Sequence, residues 1–522
     1  MNWLKDYLCL ALKLFARLYF IFINSIFEFV NLFRNRESVP PIPASREGEL
    51  LLLSATRAAQ LIRHGELTSN EGQPSHNAVV NAMFEEALEA ASKIDQFLAD
   101  AHKESDSYKQ LASKQPLLGV PCTIKDNIKV KGYVTLAGNK KFLENQPNEE
   151  DAGIVKKLRD AGAIILATTN LPRLANGWEA TNAVTGRTRN PYDLRRSPGG
   201  SSSGEGAIIA SGASPFGIGN DLGGSVRLPA AMCGIYGLKP SPGLLTLKGI
   251  IPETMDALPW VQELGVSGPM CRYAEDISLI MEVLVEEKSD KYALNWDRPY
   301  DFHTTKIYCM EPLNHILIEP MHPRPKAAVK KAAQYFEQAF ASQTAVVHFP
   351  LADNILEIFS ALIVDEGFKC PTYFQCIQEV IKFIFCDSDA TTIGLELSFI
   401  QAADLNDPSK IEKLRNDCNK LRNEIIDLLG DNGLLLCATI PMPPRFHGQL
   451  EFVQFNFAYT CLFTALRLPS LVCPLGLDEQ DSMPVSIQLV GKPNSDGFLI
   501  EAAKELEKGG CGGWVAPWKV SP

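Results

Sequence analysis

Hydrophobic positions along this chain change their period repeatedly, and each change marks an element. Residues 49–65 carry apolar side chains at helical spacing and stop at Gly65, as a helix does at a glycine. Residues 84–102 predict a second helix, with Ala87, Leu88, Ala91, Ile94 and Leu98 along one stripe. Residues 117–127 read as a buried strand running into a loop that bears Lys125, and a helix over 154–161 leads into a strand over 163–168. Further along, 274–286, 325–343 and 496–508 predict helices, while 306–310, 345–349, 434–438, 470–475 and 485–490 predict strands. Residues 355–401 are apolar and helical but weakly patterned; Phe374, Ile381, Phe383, Ile384 and Phe385 read as core in preference to a lid. The strands are near-continuous apolar runs, which means burial on both faces. Their alternation with helices predicts an α/β fold, a mixed β-sheet covered by helices on both faces.

One apolar run stands apart. Residues 8–33 are mostly Leu, Ile and Phe, broken by Lys13, Arg17, Asn24 and Glu28 and followed by Arg34 and Arg36. The uncharged part, 18–27, is shorter than the roughly 20 residues of an ideal membrane span. Snorkelling of Lys13 and Arg17 would allow a span over 15–33. A signal-anchor helix and an in-plane amphipathic helix both fit, whereas a cleaved signal peptide lacks a small-x-small site after the apolar run. The chain therefore divides into a membrane-anchoring segment over 1–36, a Pro-containing linker over 37–50 and one catalytic domain over 51–522.

Composition changes this picture little: 46% hydrophobic and 21% charged residues suit a large globular core. A net charge of -11 speaks against nucleic acid as a partner, because phosphate binding needs a basic face. The 13 cysteines are odd in number and lack CxxC or Cys/His spacing, so they predict reduced thiols in a cytosol-facing domain and no zinc site.

The candidate chemistry lies in residues 197–240. Gly199-Gly200-Ser201-Ser202-Ser203-Gly204 and Gly223-Gly224-Ser225 frame two serine clusters, with Asp221 and Arg227 beside the second. A flexible linker would not contain the apolar runs 207–210, 216–219 and 233–238. Glycines here mean close backbone approach or positive φ, and serine on exposed amides suits a nucleophile with an oxyanion hole. None of the eight histidines sits in a motif that recommends it as the base. Lys125 suits that role better, because a lysine desolvated among apolar walls loses its proton readily. Gly200 to Gly204 also satisfies G-x-S-x-G with Ser202 as nucleophile, but the apolar strand which that elbow requires does not precede it.

Lys125 in TIKDN, Ser201 in GGSSSGEG and Ser225 in NDLGGSVRLPA resemble the amidase signature family over about residues 51–514. The N-terminal apolar segment, Asn456-Phe457-Ala458-Tyr459-Thr460 and Gly512-Gly513-Trp514-Val515 resemble its fatty-acid amide hydrolase type 2 branch. The resemblance implies one large amidase-signature domain and a Ser-cisSer-Lys triad. Ser225 would be the nucleophile, Ser201 on a cis peptide the relay and Lys125 the base. Amides of Leu222, Gly223, Gly224 and Ser225 would form the oxyanion hole, and Ala175 would contact substrate near Trp178. It implies hydrolysis of long-chain fatty acid amides without metal or organic cofactor. The expected partners are a lipid-like acyl amide and a membrane, with a homodimer left open. Asp221 and Arg227 are expected to brace the loop as an ion pair, and Ser202 and Ser203 either bond the relay or serve the turn.

The chain departs from the family after Ser69, where only 70–76 replace a helix of several turns. Two other readings stay open on sequence: part of a glutamine-dependent amidotransferase, and a catalytically silent membrane scaffold.

Overall fold

In the computed structural model the described residues are 2–32, 34, 36, 52–63, 77–100, 108, 110–252, 258–285, 300–364, 371–384, 398–402 and 407–519. The linker expected over 37–50 and the short segment 70–76 lie outside them. Eleven strands form one sheet. From edge to edge they are Val79–Ala82, Ile164–Thr169, Pro121–Lys125, Phe216–Asp221, Val266–Cys271, Tyr236–Lys239, Ser470–Leu477, Pro484–Val490, Gly433–Ala438, Lys306–Met310 and Gln343–Val347. Pairing is mixed, as expected: Ile164–Thr169, Pro121–Lys125 and Phe216–Asp221 run parallel, and Val266–Cys271 runs antiparallel to the last of them. Central strands such as Val266–Cys271 and Gly433–Ala438 are buried at every position, so helices cover both faces. The edge strand Gln343–Val347 is largely exposed.

Helices form at Ala55–Arg63, Phe84–Asp100, Gly153–Asp160, Ala274–Leu284, Pro323–Phe340, Ile355–Leu362, Tyr373–Ile384 and Asp496–Lys508. Phe374, expected as core, is 68% exposed on the helix Tyr373–Ile384, and two further details differ from the sequence pattern. Leu88 is 46% exposed, because Phe84–Asp100 packs against the strand Ile164–Thr169 through Ala87 and Ala91. Lys125 ends a strand rather than sitting in a loop, since it still pairs with Thr169 of the neighbouring strand.

That second difference positions the site. Three parallel strands deliver Lys125, Thr169 and the pair Asn220-Asp221 to a shared carboxyl end, where ligands of open α/β sheets bind. The helix Ser203–Ala210 packs beneath, and the glycines of Phe216–Asp221 make room for it. A Cβ at Gly217 would stand 1.9 Å from the Glu205 carboxylate, so only glycine fits opposite that side chain.

The N-terminal helix is continuous from Asn2 to Leu32 and lies against the catalytic domain. Phe20 and Ile23 are buried in that contact, and Phe27 meets Phe452 at a ring-centroid distance of 6.0 Å.

Candidate active site

Lys125 is fully buried, and its Nζ donates to Ser201 Oγ at 2.8 Å and to Asn220 Oδ1 at 2.7 Å. Burial pushes its pKa down to about 7, against the pull of the Asp221 and Glu205 charges. A neutral amine is therefore available near neutrality, with a lone pair able to receive a proton. Asn220 is an addition to the expected set, and its orientation is fixed by a chain of amides. Asn127 Nδ2 donates to the Ile251 carbonyl at 3.3 Å, so Asn127 Oδ1 is left to accept from Asn220 Nδ2 at 2.7 Å. Asn220 Oδ1 must then face the lysine. Its signal in the sequence was its place at the end of a strand whose Gly217 and Gly219 mark close packing.

Ser201 follows a cis Gly200–Ser201 peptide and is fully buried, yet it contributes to the wall of a cavity of about 450 Å³. Ser225 lines the same cavity, and the Ser202 amide donates to the Ser225 carbonyl at 3.0 Å, which ties the two serine clusters together. Lys125 does not line the cavity. Among the described residues Ser201 is the one hydroxyl that both lines the cavity and bonds Lys125 Nζ.

The loop that presents Ser225 is built on a second buried cation. Asp221 and Arg227 form an ion pair at 2.9 Å, both side chains fully buried. All five guanidinium donors are used: two on Asp221, the others on the Thr460 carbonyl, Thr464 Oγ1 and Gln488 Oε1. Burial pushes the Asp221 carboxyl up, but the Arg227 charge and hydrogen bonds outweigh it and hold the pKa below the ordinary value. Thr460 Oγ1 donates to the Gly223 carbonyl at 2.6 Å, which fixes how the next peptide points. Gly224 has φ +125°, and a Cβ there would approach Thr460 Oγ1 to 2.2 Å, so this turn demands glycine.

Gly224 differs from the other residues expected in the oxyanion hole. Its amide donates to Asp221 Oδ1 at 2.8 Å, and the residue is buried away from the cavity wall. Leu222, Gly223 and Ser225 do line the cavity, and among the described residues no partner is found for their amides. Of the four amides expected there, only that of Gly224 has a partner among the described residues.

Ala175 lines the cavity with φ +58°, next to Leu174 at φ +52°. Trp178 forms part of the wall, its ring 5.9 Å from that of Phe457. Sequence reasoning did not place Trp260, Phe359, Ile363, Phe457 and the turn Ile250–Pro252 on this wall; they come from remote segments with no shared motif. Ser202 and Ser203 are buried, with no hydrogen-bond partner for either hydroxyl among the described residues, so neither bonds the relay here. No strand runs into Ser202 ahead of the helix Ser203–Ala210, whereas a nucleophile elbow requires one. Glu205 accepts from Thr123 Oγ1 at 2.6 Å and Thr169 Oγ1 at 2.7 Å, pinning that helix to two strands.

A mixed sheet with this order and a serine-lined cavity at its carboxyl end place the protein among the amide-hydrolysing enzymes. A family model described as Amidase matches residues 68–500, and the chain belongs to the amidase signature family. It is 33% identical to fatty-acid amide hydrolase 2 of Homo sapiens, over 90% of this chain and 91% of that one. It is 30% identical to a glutamyl-tRNA(Gln) amidotransferase chain of Methanosarcina acetivorans, over 82% of this chain and 93% of the other. A solved structure of fatty acid amide hydrolase shares the fold with a TM-score of 0.72 at 23% identity, covering 89% of this chain and 86% of that one.

Proposed function

We propose that this enzyme hydrolyses the amide bond of long-chain fatty acid amides while attached to a membrane through residues 8–33. Ser225 Oγ attacks the carbonyl carbon as its proton passes through Ser201 to neutral Lys125. Negative charge develops on the carbonyl oxygen before the amides of Leu222, Gly223 and Ser225. Collapse breaks the C–N bond, and the same proton returns through Ser201 to the departing amine. Water then enters by the same relay, splits the acyl-Ser225 ester and releases a fatty acid.

The observation that carries the substrate class is the lining of the cavity. Beyond the two serines it is walled by Leu174, Trp178, Ile250, Trp260, Phe359 and Phe457. Among the described residues its one ionisable side chain is Asp221, already committed to Arg227. A site for glutamine would need charged partners for an ammonium and a carboxylate, and this wall offers an acyl chain apolar surface instead.

The test is hydrolysis of a long-chain primary fatty acid amide and of glutamine by detergent-solubilised enzyme, with Ser225→Ala alongside. The lipid amide should be cleaved, and Ser225→Ala should lose at least about 1,000-fold in kcat. Full activity of Ser225→Ala would remove the mechanism; cleavage of glutamine alone would favour the amidotransferase reading. A folded wild-type chain cleaving neither would favour the scaffold.

A further inference from the structure

We infer that the N-terminal helix does not cross the bilayer but lies in one leaflet, parallel to the surface, locked against the catalytic domain along its protein-facing side. This rests on the membrane attachment proposed above and specifies its geometry.

The contact runs along the helix, not across its end. Tyr19 donates to the Phe452 carbonyl at 3.3 Å, and Phe20 and Ile23 are buried. Asn24 makes a two-way bond: its Nδ2 donates to Glu319 Oε1 at 2.9 Å, and Gln449 Nε2 donates to its Oδ1 at 2.7 Å. Further on, Arg195 donates to the carbonyls of Asn31 at 3.3 Å and Arg34 at 2.6 Å, placing a cation on the helix C-terminus. Contacts with the domain therefore recur from Tyr19 to Asn31 along the apolar stretch Lys13–Leu32. At about 1.5 Å per residue a crossing of about 30 Å takes about 20 residues, so any span within the apolar run 8–33 includes Tyr19, Phe20, Ile23 and Asn24. A span would have to break these bonds, or carry Glu319, Arg445 and Gln449 into the membrane with it.

Glu319 is not a partner the domain can lose freely. It is buried, paired with Arg445 at 2.9 Å, and accepts from Asn456 Nδ2 at 2.7 Å. Asn456 adjoins Phe457, a wall of the substrate cavity. The helix is thus fastened to the segment that shapes the acyl site.

The distribution of side chains around the helix agrees. Lys13, Arg17, Asn24, Glu28 and Asn31 recur at steps of seven, four and three, which keeps them on one side. The opposite side carries Leu14, Phe15, Leu18, Phe22 and Ile26, all exposed, with Phe15 at 71% and Phe22 at 62%. Such a division, with an apolar wedge outward and the polar residues grouped on the other side, where Phe20, Ile23 and Asn24 meet the protein, matches a helix half-sunk in a leaflet. Lys13 and Arg17 are exposed at its flank, where their charges meet headgroup phosphates and their stems reach past the acyl boundary. The occupant of the wedge is the hydrocarbon of that leaflet.

The test uses full-length protein in sealed vesicles, tagged at both termini and treated with protease from outside. Both tags should be cut, or both protected, because the two termini share a side. Tags on opposite sides would overturn the in-plane geometry while leaving membrane attachment intact. A Phe27→Cys/Phe452→Cys variant should be joined by a short bismaleimide in intact membranes, beyond any product of either single variant. Absence of that product would show the helix undocked and overturn the proposal. Release of the wild type by a high-salt wash would instead defeat membrane attachment itself. A salt-released dimer cross-linked through Phe22→Cys would assign the wedge to a second copy.

Discussion

Two buried cations flank the nucleophile loop, and they are held in opposite ways. Arg227 has every donor used and a carboxylate at 2.9 Å. Lys125 has only neutral acceptors, the Ser201 hydroxyl and the Asn220 amide. A buried ion pair with all its hydrogen bonds made is a fixed brace, since losing either partner strands a charge out of water. A buried amine without a carboxylate escapes the same cost by giving up its proton, and its pKa of about 7 reflects that. Arg227 stays charged in a fixed pair, and Lys125 is able to give up its proton near neutrality.

The contrast breaks most visibly at the lysine. Lys125→Met should lower kcat by about 100- to 10,000-fold, the range for a removed general base, while leaving the denaturation midpoint unchanged or higher. Retained kcat would mean the base lies elsewhere. At the brace the effect should fall on stability: Asp221→Asn strands the Arg227 charge and should cost about 3–5 kcal/mol in urea unfolding. An unchanged midpoint would show that Arg227 needs no carboxylate.

The third prediction converts one arrangement into the other. With the neutral amine in its proposed role as base, wild-type kcat/KM should rise with pH through about 7. Asn220→Asp places a carboxylate where the amide now faces Nζ, favouring the charged lysine and moving that rise upward by about 1–3 pH units. A rise that stays near 7 would show that Asn220 does not set the proton affinity. The same depressed pKa has a sign for stability. Above about 7 the unfolded chain holds the lysine proton and the folded chain does not, so this group makes stability increase with pH up to its ordinary value of 10.5.

Legibility in the sequence followed the range of the interaction. The helix over 496–508 and the strand over 306–310 were readable because local period and flanking residues decide them. Ser201, Ser225 and Lys125 stood out as candidates because glycine-framed serines and a lysine after an apolar run have a local signature. Asn220 was hidden, since an asparagine beside an aspartate looks like any strand end until Asn127 and Lys125 are brought against it. Gly224 looked like a fourth oxyanion donor until Asp221 folded back onto its amide. The N-terminal segment showed its apolar character and its polar breaks, but not that Asn24 has a buried glutamate waiting for it 295 residues away.

Period, burial propensity and residue type were enough for the α/β class and the alternation of elements, and they singled out Lys125, Ser201 and Ser225 as candidates. Tertiary structure decided the state of those side chains: which cation is paired and which can titrate, which amides are free, which apolar walls close the cavity, and which face of the first helix meets the protein. Those outcomes depend on distances and dielectric surroundings between segments far apart in the chain, and no local pattern encodes them.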